Sequence, residues 1–165
     1  MIHFLINSLD NDYNLEFNEE KTEGAARIVK LIQSYGIEID GVGYQAHVTS
    51  ENTPSAPGPA PEQSVLEAAL HATADLGVNV AYTEIDVRLN VPTTEASRAA
   101  QDATFTRMAA SCLAVKRCVG ITVWGISDKY SWIPGVFKGE GDALLWDASY
   151  NKKPTYDALL KGITG

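Results

Sequence analysis

Strand-like and helix-like segments alternate along the 165 residues, and this rhythm limits the possible folds more than any other feature. Ile2 to Asn7 is a short apolar run that reads as a strand. Thr22 can cap a helix in which Ala25, Val29 and Ile32, with Ile28, Leu31 and Tyr35, recur every three to four residues until Gly36. Gly41 to Val48 reads as a second strand. A helix from about Glu62 to Leu76 follows, with Leu66, Ala69, Leu70 and Thr73 on one side and Gly77 as its stop. Val78 to Val87 is a third strand, Glu95 to Val115 a long helix, and Val119 to Trp124 a fourth strand. Pro154 suits the first turn of a last helix running to about Ile163. Four βα units of about forty residues each predict an α/β fold with parallel strands and right-handed crossovers.

Length predicts one domain spanning residues 1–165, with a sizeable core. The formal charge of −8 argues against nucleic acid or an anionic membrane surface as a partner. No apolar run approaches the ~18–20 residues that span a bilayer. Met1 to Leu9 is apolar but lacks a basic start and a small-residue cleavage site, so it reads as the start of a strand rather than a signal peptide. Cys112 and Cys118 form no Cys-x-x-Cys pair and have no nearby histidine, so neither a metal site nor a cofactor is expected. Their spacing admits a short-loop disulfide or two buried thiols.

The stretch Val80-Ala81-Tyr82-Thr83-Glu84-Ile85-Asp86-Val87 concentrates the chemistry. It reads as a buried parallel strand that carries two carboxylates near its C-terminal end. An unpaired buried carboxylate is costly, so such a strand has a use for the charge or a partner for it. Strict alternation predicts Glu84 and Asp86 on one face, with Thr83 and Ile85 on the other. The other strand ends deliver Asn11-Asp12-Tyr13-Asn14, then Gln45 and His47 on a shared face, then Trp124 followed by Ser127, Asp128, Lys129 and Trp132. Two long loops also follow strand ends: Thr49 to Pro61, with four of the seven prolines, and Gly125 to Ser149, with two of the three tryptophans. Taken singly, His47 can be a core histidine, Trp124 core filler and Gln45 a loop tie. Carboxylate, imidazole, amide and flat aromatic surfaces on one rim are what a carbohydrate site needs.

Asp12-Tyr13-Asn14-Leu15-Glu16, Asp40-Gly41-Val42-Gly43-Tyr44-Gln45-Ala46-His47, Thr83-Glu84-Ile85-Asp86 and the run from Gly120 to Trp132 together resemble glycoside hydrolase family 10. Leu144-Leu145-Trp146-Asp147 and the run Asn151 to Tyr156 fit the same pattern. The family consists chiefly of endo-1,4-β-xylanases on a (β/α)8 barrel. The resemblance implies Glu84 as catalytic nucleophile, with His47 and Asp86 hydrogen-bonding around it and holding it ionised. It implies Gln45 beside the reacting sugar, Trp124 and Trp132 as walls of the glycone subsites, and Tyr13 and Asn14 on the aglycone side. The segment Ser111 to Cys118 is similar to fungal secreted members, which implies a Cys112–Cys118 bridge and an extracellular location.

The resemblance starts at the family's fifth strand, so it implies a single partial TIM-barrel catalytic domain of strands five to eight and their helices. The fourth-strand glutamate that serves the family as general acid/base has no counterpart, and Ser8 to Asn11 reads as an insertion. Eight βα units take ~250 residues, and this chain has room for four. The expectation is the C-terminal part of a retaining xylanase, acting on xylan or xylo-oligosaccharide and nearly inert without an N-terminal half-barrel. The alternative is a stand-alone half-barrel, structural or weakly sugar-binding, that pairs with a second copy. If an acid lay within the chain, Glu16, Asp128 and Glu140 would be the first positions to consider.

Overall fold

The computed structural model describes residues 9–56 and 58–165. The strand expected over Ile2 to Asn7 lies outside them. The element order is β1 (Leu9–Asp12), α1 (Glu20–Ser34), β2 (Gly41–Tyr44), β3 (His47–Thr49), α2 (Gln63–Ala74), β4 (Asn79–Asn90), α3 (Glu95–Ala114) and β5 (Cys118–Val123). A 3-10 turn (Asp128–Tyr130), α4 (Ile133–Val136), β6 (Glu140–Gly141) and α5 (Pro154–Thr164) complete it. Strand β1 pairs with β2, while β2, β3 and β5 all pair with β4, every one in parallel; the two-residue β6 pairs with β4 antiparallel. Among the described residues β1 pairs only with β2, and β5 only with β4, so the outer sides of both are open.

Register explains the two faces of this sheet. One cross-strand row reads Val42–Val80 and the next but one Tyr44–Tyr82, all four side chains buried. The Tyr44 hydroxyl donates to the Ala69 carbonyl of α2 at 2.6 Å, and that of Tyr82 lies 3.0 Å from Ser111 Oγ of α3, so this face meets the helices. The row between them is Asn11–Gly43–Ala81–Gly120, small or polar throughout. The core therefore sits between sheet and helices, around Val29, Leu66, Leu70, Phe105 and Met108.

Local signals set the helix ends, with some shifts. Thr22 is not the cap of α1: Glu19 is, and Thr22 stands at the third helical position of a reciprocal capping box. Thr94 and Ser97 form the same device at the start of α3, and Pro154 opens α5. Ala25 and Val29 of α1 are buried, whereas Ile28, Leu31 and Tyr35 are exposed. The single strand expected over 41–48 breaks into β2 and β3 at Ala46, whose φ is +65°. The third strand runs on to Asn90, three residues past its expected end. Within the segment Ser8 to Asn11, Leu9 to Asn11 form part of strand β1, in register with Gly41 to Gly43.

Candidate active site

Strand β4 supplies the centre of the site. Its pairing with β5 slips between Tyr82 and Ile85, where three steps along β4 match two along β5 (Tyr82 opposite Ile121, Ile85 opposite Val123). This bulge moves Ile85 onto the helix-facing side with Tyr82, and both are fully buried. Thr83 and Glu84 then both reach Asn11, contrary to the strict alternation expected from sequence, which put Thr83 on the opposite face. Thr83 Oγ1 donates to Asn11 Oδ1 at 2.6 Å, and Asn11 Nδ2 donates to Glu84 Oε1 at 2.9 Å.

The break at Ala46 lets β3 resume beside the far end of β4, with His47 directly opposite Asp86. The imidazole spans the two carboxylates: Nδ1 lies 2.9 Å from Asp86 Oδ2 and Nε2 3.1 Å from Glu84 Oε2. A neutral ring can donate from one nitrogen only, whereas the imidazolium donates from both. Burial alone would lower the imidazole pKa, but the hydrogen bonds and charges of Asp86 and Glu84 outweigh it and hold His47 above its usual value of 6.5. Both Glu84 oxygens are thus held, one by Asn11 and one by His47. Asp86 is fully buried, and its Oδ2 also accepts from Trp132 Nε1 at 2.8 Å.

Aromatic rings stand on two sides of His47, Trp132 at 5.0 Å and Trp124 at 6.4 Å between centroids, and Trp124 is half exposed. A cleft of about 400 Å³ is lined by Tyr13, Asn14, Gln45, His47 and Trp132 together with Ser55, Arg88 and Phe137. Five of the residues singled out in the sequence therefore share one cavity. Glu84 and Asp86 join it through His47, and Trp124 flanks His47 outside the lining. Lys21 Nζ sits 3.2 Å above the Tyr13 ring and bonds Asp12, which fixes the first loop of the rim.

Cys112 and Cys118 are joined in a disulfide between the end of α3 and the start of β5. Among the described residues no group of three or more His, Cys, Asp or Glu is placed to hold a metal ion. Among the described residues no helix is long and apolar enough to cross a membrane.

The glycosyl hydrolase family 10 model matches residues 6–162. The chain belongs to glycosyl hydrolase family 10. This family 10 chain is similar to endo-1,4-beta-xylanase A of Fusarium oxysporum f. sp. lycopersici, 56% identical over 153 residues that cover 93% of the chain and 47% of that protein. It is 58% identical over 154 residues to endo-1,4-beta-xylanase 2 of Aureobasidium pullulans, covering 93% of the chain and 43% of that protein. Among solved structures, the family 10 xylanase of Bispora sp. MEY-1 with xylobiose superposes with a TM-score of 0.88 at 36% identity, over 94% of this chain and 46% of that one. Native xylanase 10B of Thermotoga maritima gives 0.82 at 32% identity, over 93% and 45%. The chain spans about half the length of the curated relatives it matches. Its four βα units are accordingly one half of the TIM barrel of family 10.

Three neighbours of the site, Ser55, Arg88 and Phe137, are not singled out by the sequence reading. Asn11 is read there as part of the first strand end and of an apparent insertion, not as a partner of Glu84, and Glu140 as a possible acid, not as the partner of Arg88. Arg88 was within reach, because alternation carried two residues past Asp86 places it on the same face. Ser55 and Phe137 come from segments between regular elements and Glu140 from the two-residue β6, all too short or irregular to carry a periodic signal.

Proposed function

We propose that this chain carries the nucleophile side of a retaining endo-1,4-β-xylanase site, within one partial-barrel domain over residues 1–165. Glu84 is the attacking carboxylate. Its oxygen bonds to the anomeric carbon as the glycosidic bond breaks, the departing oxygen takes a proton from an acid, and water then releases the sugar from the ester. His47 and Asn11 fix the two Glu84 oxygens, and Asp86 orients His47. Gln45, Trp124 and Trp132 contact the sugar on the glycone side, and Tyr13 and Asn14 on the aglycone side. Xylan and xylo-oligosaccharides are the substrates, consistent with the xylobiose bound by the Bispora relative. The disulfide favours an oxidising, extracellular setting.

The observation that carries this reading is the double anchoring of Glu84, through Asn11 and His47, on the rim of an aromatic-flanked cleft. A nucleophile needs that fixed aim. The acid is assigned to the other half of the barrel, because the carboxylates weighed for that role here are engaged or hidden. Asp86 and Glu16 are fully buried, Glu140 is buried against Arg88, and Asp128 pairs with Lys153 at 3.0 Å. The first four βα units then come from a longer polypeptide or a second chain.

The open sides of β1 and β5, with Leu9 and Val119 about two-thirds exposed, favour a second reading. In it two copies close a sheet that does no catalysis. Mixing the chain with the N-terminal half-barrel of a family 10 relative tests both. Xylan hydrolysis should appear on mixing and be lost in Glu84→Ala. Robust hydrolysis by the chain alone, or activity that survives Glu84→Ala, would overturn the assignment. A stable two-copy particle by light scattering, with no gain on mixing, would favour the second reading.

A further inference from the structure

Arg88 follows Asp86 by two residues on β4 and is almost fully buried. Its Nε donates to Glu140 Oε2 at 2.9 Å and to Ser55 Oγ at 3.1 Å. Its Nη1 donates to the carbonyls of His47 and Val48 at 3.2 and 3.3 Å. The guanidinium carbon sits 4.5 Å from the centroid of the Phe137 ring, and that ring packs 5.5 Å from Trp132. Glu140 in turn accepts from the Ser55 backbone at 2.9 Å and from its hydroxyl at 2.8 Å. One cation thus ties together strand β3, the loop over 50–62 and the loop over 124–153.

Stability alone is a weak reason for such a pair. Replacing a buried ion pair by apolar groups is often neutral or favourable, whereas removing one partner leaves a buried charge and is costly. What Arg88 holds is more telling. Its Nη1 grips the backbone of His47 itself, and the guanidinium lies over the Phe137 ring that packs against Trp132. His47 and Trp132 are the two donors to Asp86 Oδ2. A lysine could keep the charge but could not bridge Glu140, two carbonyls and an aromatic face at once.

We infer that Arg88 is a positioning residue for the proposed xylanase site, holding the His47 backbone and the Trp132 ring so that both keep their hydrogen bonds to Asp86. The inference rests on the reading of Glu84 as nucleophile, since the group so positioned is the one that aims Glu84.

The test uses the whole 165-residue chain and two variants, Arg88→Lys and the double substitution Arg88→Met with Glu140→Gln. The second removes both buried charges together and so leaves neither unpaired. Hydrogen exchange of the Trp132 indole N–H and the ring signals of His47, assigned by NMR with Trp132→Phe as control, are the readouts. In both variants the spectrum should stay dispersed while Trp132 exchange quickens by about tenfold or more and the His47 signals move. Folded variants with unchanged Trp132 and His47 signals would overturn the inference. Failure of both to fold would overturn it too, because Arg88 would then hold the fold rather than the site. Failure of the nucleophile reading is seen elsewhere, in mixed-barrel activity that survives Glu84→Ala, and leaves these signals as they are.

Discussion

Gly43 is the space through which Asn11 reaches Glu84. A Cβ at Gly43 would collide with Asn11 Oδ1 and lie only 2.8 Å from the Thr83 methyl group. Gly43→Ala should therefore push Asn11 off Glu84 and destabilise the chain by about 1–3 kcal/mol, as overpacking does. Denaturant unfolding checks the cost. The double variant Asn11→Ala with Gly43→Ala should recover part of it, leaving the Thr83 contact. A silent Gly43→Ala would show that the row Asn11–Gly43–Ala81–Gly120 is looser than described.

Glu16 gives the chain a pH-dependent stability. Both its oxygens are buried without a partner at hydrogen-bond geometry. Burial pushes its pKa from 4.5 up to about 7, partly offset by nearby backbone amides and by the charges of His47 and Lys21. A carboxyl raised in the folded state contributes stability that is fully present below the unfolded value and lost as pH rises through the folded one. Between about pH 5 and pH 8 the loss should be on the order of 3 kcal/mol. His47, raised by its two carboxylates, adds a loss of the same sign above its usual value. Urea midpoints across that range should fall steeply, and Glu16→Gln should flatten most of the fall.

The Cys112–Cys118 bridge closes a short loop between α3 and β5. Replacing both cysteines by serine should cost about 2–3 kcal/mol. Thiol titration of the denatured, unreduced protein should find no free thiol, and two equivalents would refute the pairing.

Leaving-group chemistry provides an activity test on the chain alone. Without its acid, a retaining site loses about 10²–10⁴-fold on substrates that need protonation. An aryl xyloside with a phenolate leaving group avoids that loss, so any residual turnover should appear there before it appears on xylan. It should vanish in Glu84→Ala. Turnover of equal size in that variant would remove Glu84 from the mechanism.

The helices were legible because their periodicity reports a buried stripe, as Leu66, Ala69, Leu70 and Thr73 of α2 do. The carboxylate strand was legible because Glu84 and Asp86 interrupt an otherwise buried segment. Where the backbone departs from ideal geometry, the sequence misled. The bulge at Thr83 and Glu84 defeated strict alternation, and the positive φ at Ala46 split a strand that reads as continuous. The pairing of Arg88 with Glu140 was hidden for another reason: it spans 52 residues and depends on a segment with no repeating pattern.

The row Asn11–Gly43–Ala81–Gly120 also changes what it means to divide a barrel. Were the lumen lined with leucine and phenylalanine, a half-barrel would present an oily sheet to water and collapse or clump. Along this row that face is amide, hydrogen and methyl, while the large apolar groups of the flanking rows, Val42–Val80 and Tyr44–Tyr82, lie on the other side, already under helices. Water can wet this row at little cost. Among the described residues, the open edges of β1 and β5 carry lines of backbone amides and carbonyls beside the exposed Leu9 and Val119, and such lines seek another strand.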